Sequence, residues 1–195
     1  MSNRIITISR EFGSGGRTIG RQTAEKLGLP CYDQELIDEI AQESGLNKDF
    51  IREKGEYAPR STLFANSFYY DRSYGGFSVQ DLLWQSQRKV VLNLADKGPC
   101  VIVGRCADYI LQDRHDLLKV FVYASLEKRE ERILQVYGET EEAPIKRLQE
   151  KDKRRRAYYR LYTDMEWGVA QNYHIALNSG VLGIDKCVDI LVSLY

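Results

Sequence analysis

The sequence predicts an α/β protein built on a doubly wound parallel sheet. A β-branched run, Ile5-Ile6-Thr7-Ile8, feeds a glycine-rich loop that opens directly into a helical pattern. Two later apolar runs, Cys100–Val103 and Leu118–Tyr123, are continuous rather than alternating, as strands covered on both faces are. Each run is followed by a helical stretch, so right-handed crossovers would return the chain to the sheet.

In order, the first helix carries Ile19, Thr23, Ala24 and Leu27 on one face and stops at Gly28-Leu29-Pro30. Pro30-Cys31-Tyr32-Asp33 reads as a short second strand ending at an acidic residue. Gln34–Glu43 is a helix with Leu36, Ile37, Ile40 and Ala41 inward; Gly45 ends it, and Asn47 caps a further turn or two. Tyr57–Phe77 holds Pro59, Gly75, Gly76 and six Phe or Tyr residues after Tyr57 without a period. It is read either as a functional flap or as a loop whose aromatics pack down. Ser78–Asp96 returns to helix until Gly98-Pro99. Ala107–Leu111 is a short helix, Ser125 caps another, and Glu142–Tyr162 is a long charged one. Tyr173–Leu177 and Ile184–Leu194 close the chain as strand and helix.

The composition narrows the function. At 195 residues, one domain accounts for 1–195, and no repeat or linker divides it. Twenty-eight basic and 28 acidic side chains leave no overall charge that would mark a partner in nucleic acid or membrane. No apolar run approaches the ~20 residues of a bilayer span, and no signal core follows Met1. Four scattered cysteines and two distant histidines argue against a zinc site or a disulfide framework. A soluble, cytoplasmic protein with reduced thiols is expected.

The glycine loop is where chemistry is expected. A phosphate loop asks for Gly, four residues, then Gly-Lys-Ser/Thr. Here that register begins at Glu11 and ends Gly16-Arg17-Thr18. Gly13, Ser14, Gly15 and Gly16 give the backbone room to wrap a phosphate, Arg17 keeps a positive charge, and Thr18 offers a hydroxyl to Mg²⁺. Ligands of such sheets bind beyond the carboxyl ends of the strands, which also selects Asp33, Gly104-Arg105 and Asn178-Ser179-Gly180. Asp33 would either support the metal and an acceptor or cap the next helix. Arg105 would grip an anionic substrate or pair with a surface carboxylate. Six of the ten residues from Lys151 to Arg160 are basic. Arg155 and Tyr159 share a helical face with Asp152, and Arg154 lies in line with Lys151 and Arg147. The run is either a solvated face or a lid that brings cations onto a transferring phosphoryl group.

Ile8-Ser-Arg-Glu-Phe-Gly-Ser-Gly-Gly-Arg-Thr-Ile-Gly, Cys31-Tyr-Asp-Gln-Glu-Leu-Ile, Val101-Ile-Val-Gly-Arg-Cys-Ala-Asp-Tyr-Ile-Leu, Ala124-Ser-Leu-Glu-Lys-Arg-Glu-Glu-Arg-Ile and Leu177-Asn-Ser-Gly together resemble the cytidylate kinase-like family. This is a branch of the P-loop nucleoside monophosphate kinases. The resemblance covers nearly the whole chain. It implies a P-loop fold with a five-stranded parallel core, a substrate-binding insertion at about 34–97 and a helical lid at about 139–165. By position it implies that Gly13 to Thr18 hold ATP phosphates and Arg105 grips a monophosphate. It also implies that Arg129 lies against adenine and that Arg154 or Arg155 approaches the transferred phosphate. Arg17 replaces the usual Lys, and Cys106 stands where cytidylate kinases carry Asp.

The reading is an ATP- and Mg²⁺-dependent phosphotransferase for a small-molecule acceptor, with CMP or dCMP as the expected nucleoside monophosphate. Arg17 would bridge β- and γ-oxygens, Thr18 and Asp33 would organise the metal, Arg105 would fix the acceptor, and the lid arginines would neutralise developing charge. A nucleotide-binding regulatory module without transfer activity, and a kinase of a non-nucleotide metabolite, fit the same residues.

Overall fold

A computed structural model of the protein describes residues 4–57 and 78–195. Five strands, β1 (Ile5–Arg10), β2 (Cys31–Tyr32), β3 (Cys100–Val103), β4 (Leu117–Tyr123) and β5 (Ile175–Asn178), form one parallel sheet in the order β2-β3-β1-β4-β5. The α-helices among the described residues are α1 (Gly16–Leu27), α2 (Glu35–Ser44), α3 (Lys48–Lys54), α4 (Val79–Lys97), α5 (Ala107–Ile110), α6 (Leu126–Tyr137), α7 (Pro144–Thr163), α8 (Ser179–Leu182) and α9 (Ile184–Leu194). The sheet is that of the P-loop fold. Strand β1 lies between β3 and β4, so the glycine loop leaves the sheet where the strand order reverses. None of these helices is long and apolar enough to cross a membrane.

Each sheet face has its own core. On one face Leu36, Ile40, Ile51, Leu83 and Leu94 of α2, α3 and α4 bury Ile5 and Ile102. On the other, Ile19 of α1 and Val188 and Leu191 of α9 bury Ile6, Ile8 and Val120. This double covering explains the unbroken apolar runs of β3 and β4. A smaller aromatic cluster, with Phe121, Tyr158, Tyr159, Trp167 and Tyr173, seats the end of α7.

Local chemistry sets most boundaries. Ser78 and Asp81 form a reciprocal capping box at the start of α4, and the Asn47 side chain accepts from Asp49 N at 2.7 Å. The structure differs from the sequence reading at three places. Helix α2 starts at Glu35 with Gln34 as its N-cap, so Asp33 is not the cap. Strand β5 starts at Ile175 rather than Tyr173, because Tyr173 is drawn into the aromatic cluster. The short helix α8 had no periodic signal. Of the segment Tyr57–Phe77, read as a flap or a packed loop, residues 58–77 lie outside the described residues.

Helix α7 is joined to the loop side of the sheet by one polar face. Asp152 accepts from Phe12 N at 2.8 Å and pairs with the Arg129 guanidinium of α6. One turn on, Arg155 donates to Arg10 O at 3.2 Å. One further turn on, Tyr159 donates to Asp108 at 2.7 Å, and Ser9 donates to the same carboxylate. Burial raises the Asp108 pKa, while those two donors work against the rise. Positions 152, 155 and 159 are the face expected from helical spacing. Removing one partner of a buried ion pair leaves an uncompensated charge. Asp152→Ala is therefore expected to lower unfolding stability by about 3–5 kcal/mol, read by urea denaturation. A loss below ~1 kcal/mol, the median for a solvated pair, would contradict this role.

Candidate active site

The loop after β1 presents backbone donors to an open cavity. Gly15 caps α1 with a left-handed backbone and no side-chain cap bond, so the first N–H groups of α1 lack partners within the helix. Those donors and the positive end of the helix dipole suit an anion. Gly15 is required there twice over. Its φ is +80°, and a Cβ would sit 2.5 Å from Ile184 Cδ1. The Ser14 side chain faces away from the cavity and donates to Val122 O and Glu11 O. Glu11, at the first position of the loop motif, accepts from Ala124 N and pairs with Arg129; burial raises its pKa.

Two sequence-selected residues meet at the mouth of β2. Arg17 places Nε and Nη2 each 2.6 Å from Asp33 Oδ2. Arg21 approaches the same oxygen at 3.9 Å. Beside them the Thr18 hydroxyl accepts from Arg132 Nη2 at 2.9 Å. Arg132 was not singled out from the sequence; its signal is its place one turn after Arg129 on the same helix. Arg129 itself is turned from the cavity and buried, bonded to Asp152, Glu11 and Phe12 O. Arg129, which the resemblance sets against adenine, does not line the cavity; Arg132 is the arginine of α6 that does.

Arg105 enters from the end of β3 through an unusual turn. Gly104, Arg105 and Cys106 have φ of +76°, +60° and +53° in succession. For the two non-glycine residues this conformation costs roughly 1–2 kcal/mol each. Gln87 of α4 supports the turn, donating to Arg105 O at 3.0 Å. The result is a buried guanidinium that donates to Ile51 O at 3.0 Å and lines the cavity, with no surface carboxylate as partner among the described residues. Close by, Glu56 takes both terminal nitrogens of Arg10 and lies 3.5 Å from Arg155 Nη2. Arg10 and Glu56 were also missed from the sequence, since nothing in their spacing joins them.

The second face of α7 completes the wall. Arg147, Lys151 and Arg154, spaced by four and three residues, all line the cavity. Arg155 also lines the cavity, but it belongs to the first face and is buried against Arg10 O, Glu56 and the Tyr57 hydroxyl. The cavity has a volume of about 490 Å³, lined by nine basic and five acidic side chains. A smaller hollow of about 230 Å³ adjoins it on the far side of the loop, between Lys128, Gln135 and Gly180. Asn178-Ser179-Gly180 reaches this hollow, where Ser179 donates to Ser14 O at 2.6 Å.

The donor chemistry fits the groups that a phosphate loop implies. The N–H groups at the uncapped start of α1 suit a polyphosphate, and the buried Nε atoms of Arg10 and Arg155 have no hydrogen-bond partner among the described residues. For Mg²⁺, Thr18 Oγ1 and the Asp33 carboxylate are hard oxygens on one cavity wall, the donor type that this ion takes alongside phosphate.

Comparison with known proteins agrees with this architecture. The model of the Cytidylate kinase-like family matches residues 5–181. A cytidylate kinase from Archaeoglobus fulgidus is 28% identical over 193 residues, covering 96% of this chain and 92% of the relative. One from Methanopyrus kandleri is 24% identical, covering 96% and 90%. Among solved structures, an uncharacterized protein from Eubacterium ventriosum is 26% identical with a TM-score of 0.73, covering 97% of this chain and 96% of that one. Shikimate kinase from Acinetobacter baumannii shares the fold at 17% identity and a TM-score of 0.53, covering 97% and 93%. With the matched model spanning the whole sheet, the glycine loop and α7, the chain belongs to the cytidylate kinase-like family.

Proposed function

We propose that the protein transfers the γ-phosphoryl group of ATP to a nucleoside monophosphate, with CMP or dCMP as the preferred acceptor. The observation that carries this reading is one cavity walled by the uncapped N-terminus of α1 on one side and the strand-end Arg105 on another. The first suits a polyphosphate donor, the second a phosphate acceptor. The relatives named as cytidylate kinases support the choice of base.

In this reading the Gly13–Thr18 loop holds the ATP phosphates, and the adjoining hollow beside Gln135 takes the nucleoside end. Thr18 and Asp33 would hold Mg²⁺, and Arg17 fixes one Asp33 oxygen. Bound there, the ion supplies charge neutralisation on the phosphate oxygens. Arg105 fixes the acceptor phosphate, and Arg154 comes onto the transferring group from α7. Arg155 acts from behind, holding α7 over the loop. Positioning and charge carry such a transfer, since the acceptor phosphate is already an anionic nucleophile.

The Glu56 cluster holds the acceptor side in shape. Burial alone would raise the Glu56 pKa, but Arg10, Arg155 and Arg105 hold the carboxyl well below its ordinary 4.5. A depressed folded pKa gives stability that is present above the ordinary value and is lost as pH falls through the folded one. Glu56→Gln is therefore expected to cost about 3 kcal/mol at pH 7 and to flatten the acid limb below about pH 4.5. Urea midpoints measured at pH 7 and in acid check both; an unchanged acid slope would contradict the assignment.

The functional test is ADP release from Mg-ATP with CMP, dCMP, UMP and AMP offered in parallel. Turnover that depends on acceptor, and is largest with CMP or dCMP, is the expected result. Nucleotide binding without turnover on any acceptor would overturn the reading. Loss of a charged hydrogen bond is worth ~1.5–3 kcal/mol, so Arg105→Ala is expected to raise acceptor KM about 10- to 100-fold. An unchanged KM in steady-state kinetics would remove Arg105 from the acceptor site.

A further inference from the structure

The loop motif places Arg17 where a phosphate-loop ammonium is expected, yet the Arg17 fork is committed to Asp33 through two nitrogens. Each of the eight arginines lining the cavity is similarly held by an oxygen of the protein: Arg10 and Arg155 by Glu56, Arg132 by Thr18, Arg105 by Ile51 O, and the others likewise. The ninth cation is different. Lys151, the one lysine among the described lining residues, is held by aromatic faces and by no carboxylate within ion-pair distance among those residues. Its ammonium lies 4.9 Å from the centroid of the Phe12 ring and 5.3 Å from that of Tyr57. Phe12 belongs to the glycine loop itself, and its N–H is bonded to Asp152, the next residue of α7.

We infer that Lys151, delivered from α7, supplies the phosphate-binding ammonium that the loop lacks, acting on the β- and γ-phosphate oxygens of the bound nucleotide. Asp152 docks α7 on the loop backbone, which places the adjoining Lys151 over Phe12 at the entrance to the phosphate cradle. Contacts to ring faces are weak beside charge-assisted hydrogen bonds to oxygen, so this cation swings onto an incoming phosphate at less cost than any of the arginines. Its surroundings favour the move. Burial and the neighbouring Arg155, Arg154 and Arg147 hold the Lys151 pKa below the usual lysine range, with Glu56 opposing, so the ammonium lies in a field short of anions. A compact ammonium with three rotatable donors also follows charge that shifts between oxygens better than a planar fork does.

The role rests on the kinase reading of the site, and it asks for no proton. The bond from the γ-phosphorus to the bridging oxygen of ADP breaks, the bond to the acceptor phosphate oxygen forms, and Lys151 remains an ammonium throughout. Two measurements on the full-length chain test it, with Lys151→Met removing the charge and Lys151→Arg keeping it. Calorimetric titration with inorganic tripolyphosphate needs no turnover. Lys151→Met is expected to weaken binding by about 10-fold or more, with Lys151→Arg recovering most of the loss and the thermal midpoint unchanged. In steady-state kinetics the same Met variant is expected to lose roughly 100-fold in kcat, with acceptor KM within about 3-fold. Tripolyphosphate affinity within about 2-fold of wild type overturns the assignment, as does an equal loss in the Arg variant. Weakened binding with unchanged kcat overturns the catalytic role. Wild-type protein that binds tripolyphosphate but turns over no acceptor overturns the kinase reading alone, and the Lys151 assignment is then decided by the titration.

Discussion

One buried carboxylate joins the parts of this site. Asp152 takes the N–H of Phe12 in the loop and the guanidinium of Arg129 on α6, and it does so from α7. The loop lies more than a hundred residues before α6 and α7 in sequence, and this contact ties all three together. Helix α7 is strongly charged, and its buried residues include Asp152, Arg155, Tyr158 and Tyr159 beside only one aliphatic, Leu148. A helix with so little greasy surface cannot dock by hydrophobic burial alone. Its polar face must be satisfied residue by residue, which fixes its rotation about its own axis. The opposite consequence is functional: with Asp152, Arg155 and Tyr159 turned inward, Arg147, Lys151 and Arg154 are turned to the cavity.

The cavity is rich in cations that the protein itself keeps partnered. Glu56 holds Arg10 and Arg155, Asp33 holds Arg17, and Thr18 holds Arg132. Gathering so many guanidiniums without counter-charges would carry a heavy desolvation cost, and internal partners offset it. In the proposed reaction a nucleotide would then exchange partners with cations already in place. Such preorganisation is what charge stabilisation in phosphoryl transfer requires.

Much of the fold was legible because its signals are local. The glycine loop, the capping residues Asn47 and Ser125, the glycine stops at 28 and 45, and the continuous apolar strands each specify their own element. Helical spacing also divided the faces of α7 correctly. The site was only half legible. Arg105 and Asp33 could be found from the strand-end rule, and both line the cavity. The choice between Arg129 and Arg132 could not be made, because they sit one turn apart and only the neighbouring Asp152 draws the first inward. Arg10, Glu56 and the three successive left-handed residues at 104–106 depend on tertiary contacts that no local pattern announces. Arg17 was expected to reach phosphate; its pairing with Asp33 depends on β2 lying beside the loop.

The most direct test follows the phosphoryl group itself. ATP labelled in its γ-phosphate is mixed with the protein, Mg²⁺ and CMP, and the products are separated and weighed by mass spectrometry. The account predicts CDP that carries the label, formed together with ADP. Label that stays in ATP, or that emerges only as inorganic phosphate, would contradict it.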